Sequence, residues 1–417
     1  MAPRSETSSK AEDIERFSKE NPQDEPDIES ISTPQPSRLS SAIQTFSPNW
    51  YAICMNTGLL GTLLHQFPYK FHGSDTISTC FWVLNIALFI LFTTIQIIRH
   101  ILFPKAALRQ TLATMDELCF WGCVPIALVT IIAQTALNGS NTSSWGEKAQ
   151  HNFTVLAFVL WWIDVAIMLV VAWVAYYLIA KRRMAADIPI PSFIFLPAVG
   201  TTTVGLVGGI IANYSYGASA RLAVPVVLVS YLLEGFGWWL AILIYPVFLG
   251  ELWSKGLPIP FRMPTLMMLV GPAGQTAAAL NVLSSAAIKH FGNYDKGTFL
   301  TVESAKTLQG GSMGLALLFL GFDIFWAIFV IVALAEAGWK KQLKLGMPWW
   351  STIFPIGTMN TTFLVMGQEL DSPTFRVLAT GLYLILLIDY LCCWVMTGYL
   401  VYKGQLLDGR QQLRKKD

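Results

Sequence analysis

Apolar runs of roughly 20 residues recur along this chain, parted by short islands of charge, and each run is long enough to cross a hydrocarbon core as a helix. That pattern restricts the fold more than any motif does. A buried backbone in lipid has to satisfy its own hydrogen bonds, which leaves helices or a closed barrel. The runs are too long and too uniformly apolar for tilted barrel strands. Only 13 % of the residues are charged, where soluble domains carry about a quarter. The chain therefore reads as an all-α polytopic membrane protein. Its formal net charge of +2 identifies no partner. Lys and Arg form no patch interleaved with aromatics, so no nucleic-acid partner is expected.

Ten candidate transmembrane helices fall at 47–67, 77–100, 117–138, 153–180, 192–212, 221–248, 264–288, 310–336, 348–369 and 374–402. Residues 1–45 are polar, acidic and rich in Ser and Pro, and are expected to be a disordered cytosolic tail. Residues 46–403 form the membrane domain, and 404–417 a second cytosolic tail. An even helix count puts both termini on one side. With the N-terminus inside, the inner loops and C-terminal tail hold 16 Lys and Arg against 7 in the outer loops. The positive-inside rule then makes both termini cytosolic. Asn138, Asn141 and Asn152 begin glycosylation sequons in or beside the loop after the third helix, which this topology places outside.

The six cysteines lie in or at the edge of apolar segments. They read as small hydrophobes, not as a disulfide framework. Cys119 and Cys123 are one helical turn apart, but no His or acid completes a metal site. No cofactor and no metal is expected.

A repeat is written in the prolines. Pro125, Pro197, Pro272 and Pro355 lie in the third, fifth, seventh and ninth helices, 72, 75 and 83 residues apart. The first helix has Asn56, Thr57, Gly58 and Gly61 at the corresponding place. The even-numbered helices are bulkier, lack central prolines, and from the fourth onward carry one acid each: Asp164, Glu234, Asp323 and Asp389. Proline removes a backbone hydrogen bond and leaves groups that cannot face lipid. The odd-numbered helices are thus expected to be kinked and to surround a cavity, with the others outside. The expected architecture is five helical hairpins around a central pore.

Candidate pore-lining residues are Asn56, Thr57, Thr202, Thr203, Gln275, Asn281, Thr358 and Asn360, which offer hydrogen bonds without fixed charge. No Lys or Arg stands near the centre of an inner helix, and weak binding is what conduction requires. The four acids are candidates for proton coupling. The plainer reading makes them structural carboxyls hydrogen-bonded between the two layers. The histidines His65, His72, His100, His151 and His290 sit at helix ends or in loops, so a membrane enzyme is not expected.

Phe120–Ile131, Leu160–Trp173, Leu269–Gln275, Phe354–Met359 and Phe375–Tyr383 together resemble the tellurite-resistance/dicarboxylate transporter family, which includes plant slow anion channels. The resemblance spans most of the membrane region and is nearest to fungal sulfite efflux pumps. It implies the same ten-helix, five-hairpin pore, with an aromatic gate just before the kink proline of the ninth helix, here Phe354. It also implies a homo-oligomer, a trimer by resemblance with a dimer as the alternative. The function it implies is export of a small inorganic anion, sulfite or bisulfite, across the plasma membrane. A malate or dicarboxylate transporter is the competing reading within the family. The absence of a pore cation favours the smaller oxyanion. A membrane receptor is the remaining alternative.

Overall fold

The computed structural model describes residues 38–186, 189–294 and 296–406. The expected tails lie outside these residues up to position 37 and from position 407. Among the described residues the regular structure is entirely helical. Helix α1 (Arg38–Gln44) precedes α2 (Tyr51–His65) and α3 (Ser74–Leu102). Two short helices, α4 (Pro104–Thr111) and α5 (Met115–Cys119), lead to α6 (Cys123–Gln134) and α7 (Glu147–Lys181). Then come α8 (Leu196–Tyr214), α9 (Ala220–Lys255), α10 (Gly271–His290), α11 (Val302–Trp339), α12 (Ile353–Glu369) and α13 (Pro373–Tyr402).

Eight helical stretches are long and apolar enough to cross a membrane. The two expected spans not among them are α2, with 15 residues, and α12, with 17. At 1.5 Å per residue these measure roughly 22 and 26 Å, short of a 30 Å hydrocarbon core.

The helices sort into two layers by burial. In α2, α8, α10 and α12 nearly every side chain is inside the protein. The stretch containing α6 is similar. These five pack in a closed ring, each against the next in chain order, with α12 returning to α2. The bulkier α3, α7, α9, α11 and α13 lie outside. Each packs on the ring helix before it and also on the ring helix after it, with α13 reaching α2. Their outward faces expose large apolar side chains such as Leu232, Leu243, Leu318 and Val395. A ring helix without bulk allows close approach, and a bulky helix then fills the groove between two neighbours.

Two expectations are corrected here. The prolines do not kink the middle of continuous α-helices. Pro197 and Pro272 sit in the first turn of α8 and α10, and Pro125 and Pro355 are the third residues of α6 and α12. Each follows a 3-10 segment, Phe120–Gly122, Ser192–Phe195, Met263–Leu269 or Met347–Ser351. In a first turn the missing N–H would have had no intrahelical partner anyway. The break is marked by a change of winding from 3-10 to α-helix.

The outer helices lack central prolines, as expected. Pro225 and Pro246 are inside α9. Both stand toward the ends of a 36-residue helix, whose middle keeps its hydrogen bonds.

The ordered body begins before the expected tail boundary at 45. Helix α1 lies within that stretch because a buried side chain needs it. Arg99 is fully buried and donates from Nε to the Gln44 carbonyl at 3.1 Å and from an Nη to Gln110 Oε1 at 2.8 Å. Phe46 completes the anchor, with its ring 6.0 Å from Trp50 and 5.9 Å from Phe92. A buried guanidinium demands acceptors, and no apolar period in the sequence announces them.

Candidate functional site

All five ring helices run the same way, because each is followed by an outer helix that returns the chain. The 3-10 starts therefore gather at one end of the ring and the helix ends at the other. Hydrogen bonds stitch the starting end. Ser192 Oγ donates to Thr265 Oγ1 at 2.7 Å, Ser351 Oγ to the Pro264 carbonyl at 3.3 Å, and Asn56 Nδ2 to the Trp350 carbonyl at 2.8 Å. Between the ends the ring is mostly apolar. Phe354 lies in this core, 3 % exposed, in one cluster with Leu59, Ile126 and Val199. Its burial beside Pro355 fits either a plug or a packing residue.

The expected pore-lining residues divide into two groups. Thr57 Oγ1 donates to the Ile53 carbonyl at 2.7 Å and meets Tyr390 Oη of α13 at 2.8 Å, so it faces the outer layer. Thr202 and Thr203 both bond the Val199 carbonyl, at 2.9 and 2.7 Å, and Thr358 bonds the Pro355 carbonyl at 2.6 Å. These hydroxyls are used within their own helices.

The amides behave differently. Asn360 is fully buried with neither Nδ2 nor Oδ1 partnered among the described residues. The same holds for Asn281 Nδ2 and Asn56 Oδ1. Gln134 Oε1 on α6 joins this group and was missed in the sequence, where it follows an unremarkable apolar run. A buried amide group without a partner costs about 1–3 kcal/mol. Water in a hydrated conformation would satisfy all of them, whereas an anion could accept only from Nδ2 of Asn281 and Asn360.

The four acids lie between the layers. Asp164 and Asp323 are fully buried and Glu234 nearly so; Glu234 faces the Thr276 hydroxyl and Asp323 the Gly274 amide of α10, whereas the Asp164 carboxyl has no hydrogen-bond partner among the described residues. None makes an ion pair with Lys or Arg there either. Glycines make room for two of them. A Cβ on Gly205 would lie 2.6 Å from Glu234 Oε1, and one on Gly274 would lie 2.6 Å from Asp323 Oδ2. Asp389 differs, since Thr352 Oγ1 donates to its Oδ2 at 2.6 Å. Asn85, the equivalent on α3, donates to Thr130 Oγ1 of α6 at 3.0 Å. Its repeat mates are thus polar side chains pressed from the outer layer onto the ring.

The sequons read otherwise in three dimensions. Asn138 is 4 % exposed, accepts from His65 Nδ1 at 2.8 Å, and donates to Ser78 Oγ at 3.0 Å. A glycan there is incompatible with the fold. Asn141 is exposed but donates to the Ala136, Leu137 and Tyr214 carbonyls. Asn152 is exposed on α7. Among the described residues no group of three His, Cys, Asp or Glu could hold a metal ion.

Residues 45–398 match the family described as voltage-dependent anion channel, SLAC1. The chain belongs to that family. Its relatives include sulfite efflux pumps and malic acid transport proteins. A sulfite efflux pump of Arthroderma benhamiae is 27 % identical, covering 87 % of this chain and 92 % of its own. A sulfite efflux pump of Saccharomyces cerevisiae is 23 % identical, covering 80 % and 83 %. A malic acid transport protein of Schizosaccharomyces pombe is 24 % identical, covering 89 % and 81 %. Family and relatives are channels and transporters, and the chain is a multi-pass membrane transport protein of that kind. The family match covers the whole ring and its outer layer, so the layered packing is a property of the matched region.

Sequence reasoning missed the residues that lock the layers together. Trp161 Nε1 of α7 donates to the Val204 carbonyl of α8 at 2.8 Å, and Trp350 Nε1 donates to Thr397 Oγ1 at 2.9 Å. Tyr245 Oη of α9 donates to the Leu269 carbonyl at 2.5 Å. Polar-headed aromatics in otherwise apolar outer helices were the available signal, since their buried polar atoms need partners.

Proposed function

We propose that this chain exports sulfite or bisulfite through the ring of α2, α6, α8, α10 and α12. The closed ring, with unpartnered amides on four of its helices, is the observation that carries this reading. In it α2 and α12 complete ten spans, arranged as five hairpins around a pore. Both termini are cytosolic, the membrane is the plasma membrane, and the assembly is a homo-oligomer. Residues before α1 are a cytosolic tail. Phe354 is the gate, and Pro125, Pro197, Pro272 and Pro355 set the change of winding at the inner mouth. Asn281 and Asn360 offer the passing anion hydrogen bonds from their Nδ2 groups, and Asn56 and Gln275 line the path beside them.

The substrate argument rests on charge. No Lys or Arg occurs in α2, α6, α8 or α12, and Lys289 of α10 is in the last turn, bonded to the Asn213 carbonyl. A dicarboxylate would lack a cation to pair with along the ring. A small oxyanion needs only neutral donors, and an inside-negative potential favours its exit by about 2.3 kcal/mol per charge per 100 mV. The malic acid transport relatives keep dicarboxylate transport as the second reading.

The test is flux from liposomes holding the purified protein, with sulfite, malate, nitrate and chloride compared under a set potential. Sulfite flux above malate flux is expected. Malate carried faster than sulfite would replace the first reading with the second, and no flux of any anion would remove both.

A further inference from the structure

At the end of the ring where the helices finish, a cavity of about 360 Å³ opens among His65, Gln66, Lys70, Asn141, Tyr214 and Gln368. Helix C-termini carry partial negative charge and should repel an anion there. Side-chain donors cover those carbonyls instead. Asn141 Nδ2 bonds the Tyr214 carbonyl at 2.8 Å and the Ala136 carbonyl at 2.9 Å. Lys289 Nζ bonds the Asn213 carbonyl at 2.5 Å, and Arg376 Nε the Gly367 carbonyl at 3.0 Å.

His65 is set by a relay. Ser78 Oγ donates to the Gly61 carbonyl at 2.8 Å and accepts from Asn138 Nδ2 at 3.0 Å. That turns Asn138 Oδ1 toward His65, which donates from Nδ1 at 2.8 Å. Nε2 is then the nitrogen that gains a proton, and with it a charge and a donor. Asp75 Oδ1 lies 3.8 Å from His65 Nδ1 and bonds Lys70. The other carboxylates at this end are engaged: Glu369 accepts from Ser285 and Gln309, and Asp371 from Arg376.

We infer that this vestibule is a second binding station for a small oxyanion, held by Lys70 and protonated His65 after it leaves the ring. The inference rests on the ring being an anion path. Lys70 and Asp75 offset one another, so the proton on His65 decides whether the station is neutral or positive. Acid on that face strengthens holding, and neutral solution releases the anion.

Nitrate tests this, because its charge does not change with pH. Nitrate currents are recorded in excised patches holding the full chain, with the vestibule face bathed at about pH 7.5 and then about pH 4.5, because burial and the Lys70 charge hold the His65 imidazole below its ordinary value. The half-saturating nitrate concentration at that face is expected to fall about tenfold, the effect of one added charge some 6 Å away in a partly wet site. His65→Gln should abolish the fall. His65→Arg should give the low value at both pH values, and Lys70→Gln should raise it at both. His151→Gln, on an exposed histidine of α7, should leave the response intact. Should His65→Gln fold poorly, nitrate-dependent thermal stabilisation of the purified His65→Arg protein is compared at the two pH values, and loss of its pH dependence is expected. A pH response that survives in conducting His65→Gln overturns the station alone. Absence of nitrate current in a wild type that still conducts sulfite overturns the station as a general oxyanion site, and absence of both overturns the pore reading with it.

Discussion

The stretches Ser192–Tyr214 and Ala220–Lys255 have the same mean hydropathy, 1.8, yet the first is buried along its whole apolar window and the second along 39 % of it. One contains α8 of the ring, the other is α9 outside it. Hydropathy alone therefore places a helix in the membrane without saying what it faces. Side-chain size and polarity do that. The α8 sequence holds five glycines and threonines in the seven residues from Gly200 to Leu206, and such a helix can be approached closely from every side. The α9 sequence offers Leu232, Trp239 and Leu243 to lipid. In water this contrast would be hidden, since both helices would need cover.

The contrast can be broken first with glycine. Gly274 of α10 has Asp323 Oδ2, Thr358 Oγ1 and the Met359 nitrogen within 3.0 Å of where a Cβ would go, while Gly321 of α11 has nothing within 4 Å. Gly274→Leu should abolish the folded species in detergent, and Gly321→Leu should leave its yield near wild type. Equal yields would show that the two layers are not packed differently.

Phe354→Ala comes next. Truncating a buried Phe costs about 3–5 kcal/mol, and anion flux per folded protein should rise severalfold. Unchanged flux in a well-expressed variant would make the residue packing only.

Leucine pairs sharpen the same point with smaller effects. Leu60 is 0 % exposed and Leu318 is 71 % exposed. Leu60→Ala should destabilise by about 2–5 kcal/mol, seen as a lower thermal midpoint. Leu318→Ala should barely move it in lipid nanodiscs. A comparable drop in both would place Leu318 against protein, as at an oligomer contact.

The smallest effect expected is Trp161→Phe, which keeps an aromatic ring at the buried position and loses the bond to the Val204 carbonyl. Its cost should be about 0.5–1.5 kcal/mol, the net worth of one hydrogen bond, because that carbonyl still accepts within its own helix. A stability equal to wild type would mean that the indole bond does not hold the two layers together.

Much of the candidate site was legible because its residues are costly in lipid. Asn56, Asn281 and Asn360 stood out as amides in apolar runs, and the structure leaves amide atoms of each unpartnered. Thr57, Thr202, Thr203 and Thr358 stood out equally but were satisfied locally. A threonine hydroxyl reaches the carbonyl three or four residues back, whereas an amide with two donors and an acceptor cannot be satisfied by its own helix. His65 and Lys70 were read only as residues near helix ends. Their relay runs through Ser78 and Asn138, which are distant in sequence.

The sequence by itself determined that the chain is a helical membrane protein, that its helices alternate between small and bulky, and that a proline recurs in four of them. Those facts follow from local chemistry: the length of an apolar run, the size of a side chain, a missing N–H. Only the tertiary structure decided that the small helices close into a ring, that the prolines stand where 3-10 winding gives way to α-helix, and that an arginine recruits α1 into the body. Each of these depends on which backbone and side-chain groups meet across the fold. In a bilayer that pairing is set by packing and hydrogen bonding between helices, and neither is written in the order of residues along one of them.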